Sequence, residues 1–105
     1  MITSEQIRIV NDSQETPGKK GWYDWSIFLE AEPRIMDMID KVWYHLHPTF
    51  PRPHILVDDR TNGFRLKGTG WGEFIVTADI ILKEGGQIIS KRHYLRLGNA
   101  YEKYK

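Results

Sequence analysis

Hydrophobic and polar residues mostly alternate along this chain, the period expected of strands that pack one face inward. The plainest case is Glu73 to Leu82: Phe74, Val76, Ala78, Ile80 and Leu82 share one face, and Glu73, Ile75, Thr77, Asp79 and Ile81 the other. Tyr23 to Glu30 repeats the pattern, with Tyr23, Trp25, Ile27 and Leu29 opposed to Asp24, Ser26, Phe28 and Glu30. Gly85-Gly86 predicts a hairpin turn, with Gln87 to Leu97 as the returning strand. Gln6 to Val10 and Phe64 to Lys67 read as shorter strands. Ile35, Met38, Ile39 and Val42 have helical spacing, but from Lys41 onward Val42, Tyr44 and Leu46 oppose Trp43, His45 and His47. A short turn followed by a strand fits that stretch better.

The remaining segments read as connections. Asn11 to Gly21 is a polar loop containing Pro17 and Gly18, and Ala31 to Arg34 is a break at Pro33. His47 to Gly63 is a long connection carrying Pro48, Pro51 and Pro53, which lack the N–H that a central ladder needs. Loops of this length in small domains tend to be functional. Gly68 to Gly72 reads as a turn, and the polar tail from Gly98 to Lys105 is expected to fray. Short strands with regular turn signals and no internal repeat predict an all-β, immunoglobulin-like β-sandwich of about seven or eight antiparallel strands. It would be a single domain over residues 1–105, with its core at about residues 7–97.

Composition narrows the functional classes. The 15 basic and 14 acidic residues leave a net charge of +1, spread along the chain, unlike the dense basic field of a DNA-backbone binder. Without cysteine there is no disulfide, thiolate metal site or thiol nucleophile. Met1 to Asn11 lacks a signal-peptide core, and no apolar run approaches membrane-spanning length. Direct nucleic-acid binding and membrane insertion are therefore not expected. Four Trp, five Tyr and four Phe are the unusual feature. A β-rich core accounts for most of them, less well for those lying among Gly and Pro.

Candidate chemistry is sparse. His45 and His47 flank Leu46 at a spacing that metal sites use, with His54, Asp58 or Asp59 as a third ligand. Without a His-Glu-x-x-His pattern, local hydrogen bonding is the stronger reading, so no metal or cofactor is expected. No Gly-x-Ser-x-Gly turn surrounds any serine, and Asp58-Asp59 are neighbours in a turn rather than acids facing across a cleft. Gly68-Thr69-Gly70-Trp71-Gly72 lacks the Lys and helix of a phosphate loop. The chain is not expected to be an enzyme.

What remains is Val42 to Pro53, VWYHLHPTFPRP, followed about twenty residues on by GWGEF at Gly70 to Phe74. This pairing resembles a YEATS domain, and Tyr23-Asp24-Trp25 resembles that family's opening strand. The likeness runs over roughly Ile7 to Leu97. It implies an immunoglobulin-like sandwich that reads acylated lysine, acetyl or crotonyl, on histone tails. On that likeness Phe50 and Trp71 correspond to two aromatic walls of an acyl slot, and Thr49 to the hydroxyl that bonds the ligand amide. His47 corresponds to a loop-bracing histidine, and Gly70, Trp71 and Gly72 to the turn whose backbone meets the acyl carbonyl. Trp22 or, one residue on, Tyr23 falls near a further first-loop aromatic.

The chain lacks a lysine-rich nuclear signal and closely brackets the motifs. That fits an excised eukaryotic domain, nuclear and binding histone tails, or a compact prokaryotic member, cytoplasmic and binding an acylated protein. The rival readings are a carbohydrate-binding sandwich with aromatics over a flat face, and a protein-interaction module using a strand edge.

Overall fold

The computed structural model describes residues 2–98. Seven strands among them form two antiparallel sheets: β1 (Arg8–Glu15), β2 (Tyr23–Glu30), β3 (Ile39–His45), β4 (His54–Val57), β5 (Leu66–Gly70), β6 (Phe74–Leu82) and β7 (Ile88–Leu95). One sheet has the order β1-β2-β5 and the other β4-β3-β6-β7. The alternation in the sequence supplies the inner faces: Trp25, Ile27 and Leu29 from β2 meet Val42 and Tyr44 from β3 and Val76, Ala78 and Ile80 from β6 in one buried cluster. The Tyr44 hydroxyl donates across this core to the Phe64 carbonyl at 2.7 Å, which satisfies the polar end of a fully buried ring. Burial raises the Tyr44 pKa and keeps it protonated. No helix among the described residues is long and apolar enough to cross a membrane.

Several boundaries differ from expectation. Asn11 to Glu15 is strand rather than loop, because β1 pairs residue for residue with β2 from Arg8↔Glu30 to Glu15↔Tyr23. Its polar side chains find partners: buried Asn11 donates to the Arg96 carbonyl at 2.8 Å, and Asp12 accepts from Arg65 at 3.2 Å. At the start, Ser4–Gln6 is a 3-10 turn, so the first strand begins at Arg8 rather than Gln6. The ambiguous stretch resolves into a four-residue helix, α1 (Pro33–Met36), then β3 from Ile39. Proline suits that first turn because its missing N–H would have no helical partner.

The long connection from His47 to Gly63 is interrupted by β4, an edge strand placed just after Pro53 where proline is tolerated. The next strand is shifted, running from Leu66 to Gly70 instead of Phe64 to Lys67. Phe64 sits in the left-handed region at φ 57° with its ring buried, and the strand begins beyond it. Gly68 and Gly70 are therefore strand residues, and the expected turn shrinks to residues 71–73. The expectation for the tail concerns residues that, after Gly98, lie outside those described.

Candidate functional site

Three connections converge at one end of the sandwich: β1–β2, β3–β4 and β5–β6. Between them lies a cleft of about 450 Å³ lined by Trp22, His47, Thr49, Phe50, Gly70, Trp71 and Gly72. All seven residues singled out in the sequence therefore border one space. Pro51, Thr69, Glu73 and Phe74 line it as well. The alternation of its strand assigns Phe74 to the core, and its place in GWGEF is the signal for its second role here. Tyr23 is not on the lining; its ring packs toward Gly98, where an added Cβ would lie 2.5 Å from it.

The floor is aromatic. Phe50 is half-buried, tilted on Phe74 with centroids 5.2 Å apart, and both rings meet Trp25 edge-on at 6.1 Å. Trp71 is different, with 72% of its surface exposed at the rim. Trp22, the other rim tryptophan, carries the Lys19 ammonium 4.6 Å from its ring centroid. Phe50 is thus anchored by core neighbours, whereas Trp71 is held out into solvent.

The polar groups are oriented by the β3–β4 connection. Its first residues form a turn closed by the Phe50 N–H on the His47 carbonyl at 3.0 Å. Within it, the Thr49 backbone N–H donates to His47 Nδ1 at 3.2 Å, and the Thr49 hydroxyl lies 2.9 Å from the same nitrogen. An N–H can only donate, so Nδ1 is the unprotonated nitrogen and the hydroxyl must also point its hydrogen there. That leaves the lone pairs of Thr49 Oγ1 to accept from a ligand N–H. Across the cleft, the backbone N–H groups of Trp71 and Gly72 have no hydrogen-bond partner among the described residues. A Cβ at Gly70 or Gly72 would meet nothing within 4 Å, so both glycines border open space. Glu73 is fixed at the wall, its carboxylate accepting from the Tyr94 hydroxyl at 3.1 Å and the Leu97 N–H at 2.9 Å.

Other candidate chemistry is dispersed. His45 and His47 do not face one another: His45 bonds His54 and Asp79, whereas His47 turns to Thr49 and Phe74. Among the described residues no group of three or more His, Asp or Glu side chains is placed to hold a metal. A larger depression of about 760 Å³ lies along β1, β2 and β5. Its Asp12, Ser26 and Arg65 are joined by their own hydrogen bonds, as are Asp24, Thr16 and Thr69, the arrangement of a solvated strand face.

Comparisons with known proteins bear on the family and the fold. A model of the prokaryotic YEATS domain matches residues 23–95. Transcription initiation factor TFIID subunit 14 of Schizosaccharomyces pombe is 30% identical over 103 residues, covering 85% of this chain and 42% of that protein. The Protein AF-9 homolog of Kluyveromyces lactis is 35% identical over 78 residues, covering 70% of this chain and 34% of its own length. The chain thus spans less than half the length of these relatives. Among solved structures, the Yaf9 YEATS domain bound to H3K27ac superposes with a TM-score of 0.74 at 28% identity, over 88% of this chain and 71% of that one. The same domain recognizing an H3K122suc peptide superposes at 0.73 and 29% identity, over 87% and 70%. The two sheets therefore form the immunoglobulin-like sandwich of these domains.

Proposed function

The chain belongs to the prokaryotic YEATS domain family, and on that premise we propose that it is a binding module for an acylated lysine side chain on a peptide or protein. The observation that carries this reading is the single cleft bordered by Thr49, Phe50 and Trp71, with the Thr49 hydroxyl turned toward His47. An acyl-lysine is a flat, neutral amide on an apolar stem. Its faces suit the rings of Phe50 and Trp71, its N–H suits Thr49 Oγ1, and its carbonyl suits the free N–H groups of Trp71 and Gly72. An unmodified ammonium would have to lose its hydration there, a cost that the Glu73 carboxylate, already held by the Tyr94 hydroxyl and the Leu97 N–H, offsets only in part. The superposed Yaf9 domain bound to H3K27ac supports the ligand class. Among the described residues no lysine or arginine lines the cleft while Glu73 does, so neutral acetyl and crotonyl groups are favoured over succinyl.

The test is a titration of acetyl-, crotonyl-, succinyl- and unmodified-lysine peptides, followed by tryptophan fluorescence or calorimetry. Acetyl and crotonyl peptides should bind at least about tenfold more tightly than the unmodified one. Thr49→Ala, which removes one ligand hydrogen bond, should weaken them by about tenfold. Equal binding of acylated and unmodified peptides would refute the assignment.

A further inference from the structure

His45 ends β3 and His54 begins β4, and the register sets them directly opposite one another. The neighbouring pair, Leu46 and Pro53, carries a hydrogen bond from the Leu46 N–H to the Pro53 carbonyl at 2.7 Å. Hydrogen-bonded and non-hydrogen-bonded pairs alternate along an antiparallel ladder, so His45 and His54 form a non-hydrogen-bonded pair, where side chains approach closest. Their ring centroids are 5.0 Å apart, and Nδ1 faces Nδ1 at 2.8 Å.

The other ring nitrogen of His45, Nε2, lies 2.8 Å from Asp79 Oδ2 on β6, and the Ser90 hydroxyl on β7 donates to Oδ1 of the same carboxylate at 2.6 Å. A carboxylate can only accept, so the His45 proton belongs on Nε2 and Nδ1 presents a lone pair across the strands. A carboxylate behind an imidazole is the arrangement that orients metal-ligating histidines.

We propose that His45 and His54 form a surface site for a divalent cation of tetragonal preference, Cu²⁺ or Ni²⁺, bound through the two Nδ1 atoms with water completing the coordination. Two nitrogens about 2.0 Å from one ion at a right angle lie about 2.8 Å apart, whereas a tetrahedral ion would hold them at about 3.3 Å. The two rings already hold the former spacing, through a hydrogen bond from the His54 Nδ1–H to His45 Nδ1 that the ion would replace. Binding requires the proton of His54 to sit on Nε2 instead of Nδ1, a change open to it because the residue is exposed. The eight residues between the two ligands, 46–53, include His47, Thr49, Phe50 and Pro51 of the cleft. The ion would therefore clip the stem of the connection that carries one cleft wall, so its occupancy would stiffen that wall.

Glycine-buffered Cu²⁺ and, separately, Ni²⁺ titrated into the full chain test this directly, with electron paramagnetic resonance of the copper form counting ligand nitrogens. One ion per chain and a two-nitrogen spectrum are expected. His45→Ala and His54→Ala should each weaken binding at least about tenfold, Asp79→Asn by about tenfold, and His47→Gln should leave it unchanged. Circular dichroism verifies that each variant is folded, and His54 is exposed enough to be replaced without disturbing the core. Hydrogen exchange at the Leu46 amide should slow with Ni²⁺ in the absence of any peptide, which separates this site from the fate of the acyl-lysine assignment. Binding that survives both His45→Ala and His54→Ala, a one-nitrogen spectrum, loss of binding in His47→Gln, or no saturation below millimolar metal would each overturn the proposal.

Discussion

Trp25 and Trp71 serve the same end of the sandwich under opposite conditions. Trp25 is 3% exposed, faces Gly68 across the β2–β5 ladder and meets Phe50 and Phe74 edge-on beneath the cleft. Trp71 is 72% exposed on the three-residue connection between β5 and β6. One ring is held by packing and has nothing left to offer a ligand; the other has a large apolar face and little packing. Protein interiors reward contact from every side, so an aromatic left largely in solvent contributes little to folding and has its area available for recognition. The contrast separates the part of this end that builds the fold from the part that can bind.

Substitutions should therefore divide into two groups. The largest effect is expected from Trp25→Ala, a loss of about 3–5 kcal/mol of stability measured by urea unfolding, because the cavity would lie under both sheets. Trp25→Phe should be milder, since the Trp25 Nε1–H is buried without a partner among the described residues and its removal relieves that desolvation. A Trp25→Ala protein of unchanged stability would erase the distinction between floor and rim.

The glycines sharpen the same contrast at lower cost. A Cβ at Gly68 would lie 2.3 Å from the Trp25 ring, so Gly68→Ala should destabilise by about 1–3 kcal/mol through overpacking. Gly70→Ala, only two residues on, should shift stability by no more than about 0.5 kcal/mol, because its Cβ enters open space. That methyl would project where the acyl group is proposed to sit, so peptide binding is what should fall. Trp71→Ala should likewise leave stability within about 0.5 kcal/mol while weakening acyl-peptide binding at least about tenfold. Loss of folding in Trp71→Ala, or undiminished binding, would show that exposure had been misread as availability.

These residues also explain what could be read without coordinates. The β6 strand and the inward faces of β2 and β3 followed from period-two alternation, which needs only one buried face to be visible. Asn11 to Glu15 escaped because its strand is held by ladder pairing and satisfied polar side chains, neither of which leaves an apolar signature. Gly68 looked like part of a turn, since its reason for being glycine is a ring from another strand. The cleft residues stood out for the converse reason: aromatics among Pro and Gly have no local role, and the paired motifs grouped them before the fold did. Phe50 shows the limit of that logic, for the motif could not reveal that its ring leans on Phe74 and Trp25.

The smallest effect concerns an interior polar group away from the cleft lining. His93 on β7 donates its Nε2–H to Asn11 Oδ1 at 2.7 Å, and Asn11 also holds the Arg96 carbonyl, tying β1 of one sheet to β7 of the other. Burial first, and the nearby Arg96 charge second, lower the His93 pKa below its ordinary value. Between the folded and the unfolded pKa the unfolded chain binds more protons, so stability rises with pH through that window. The contribution is complete above about pH 6.5 and is lost progressively as pH falls toward the folded value. Urea midpoints should thus decline modestly from about pH 7.5 to about pH 5.5, within the range where histidine titrates. His93→Gln keeps a donor for Asn11 but cannot take up the proton, so it should flatten that slope while leaving peptide binding at pH 7.5 intact. A slope that survives the substitution would move the acid sensitivity away from the β1–β7 seam.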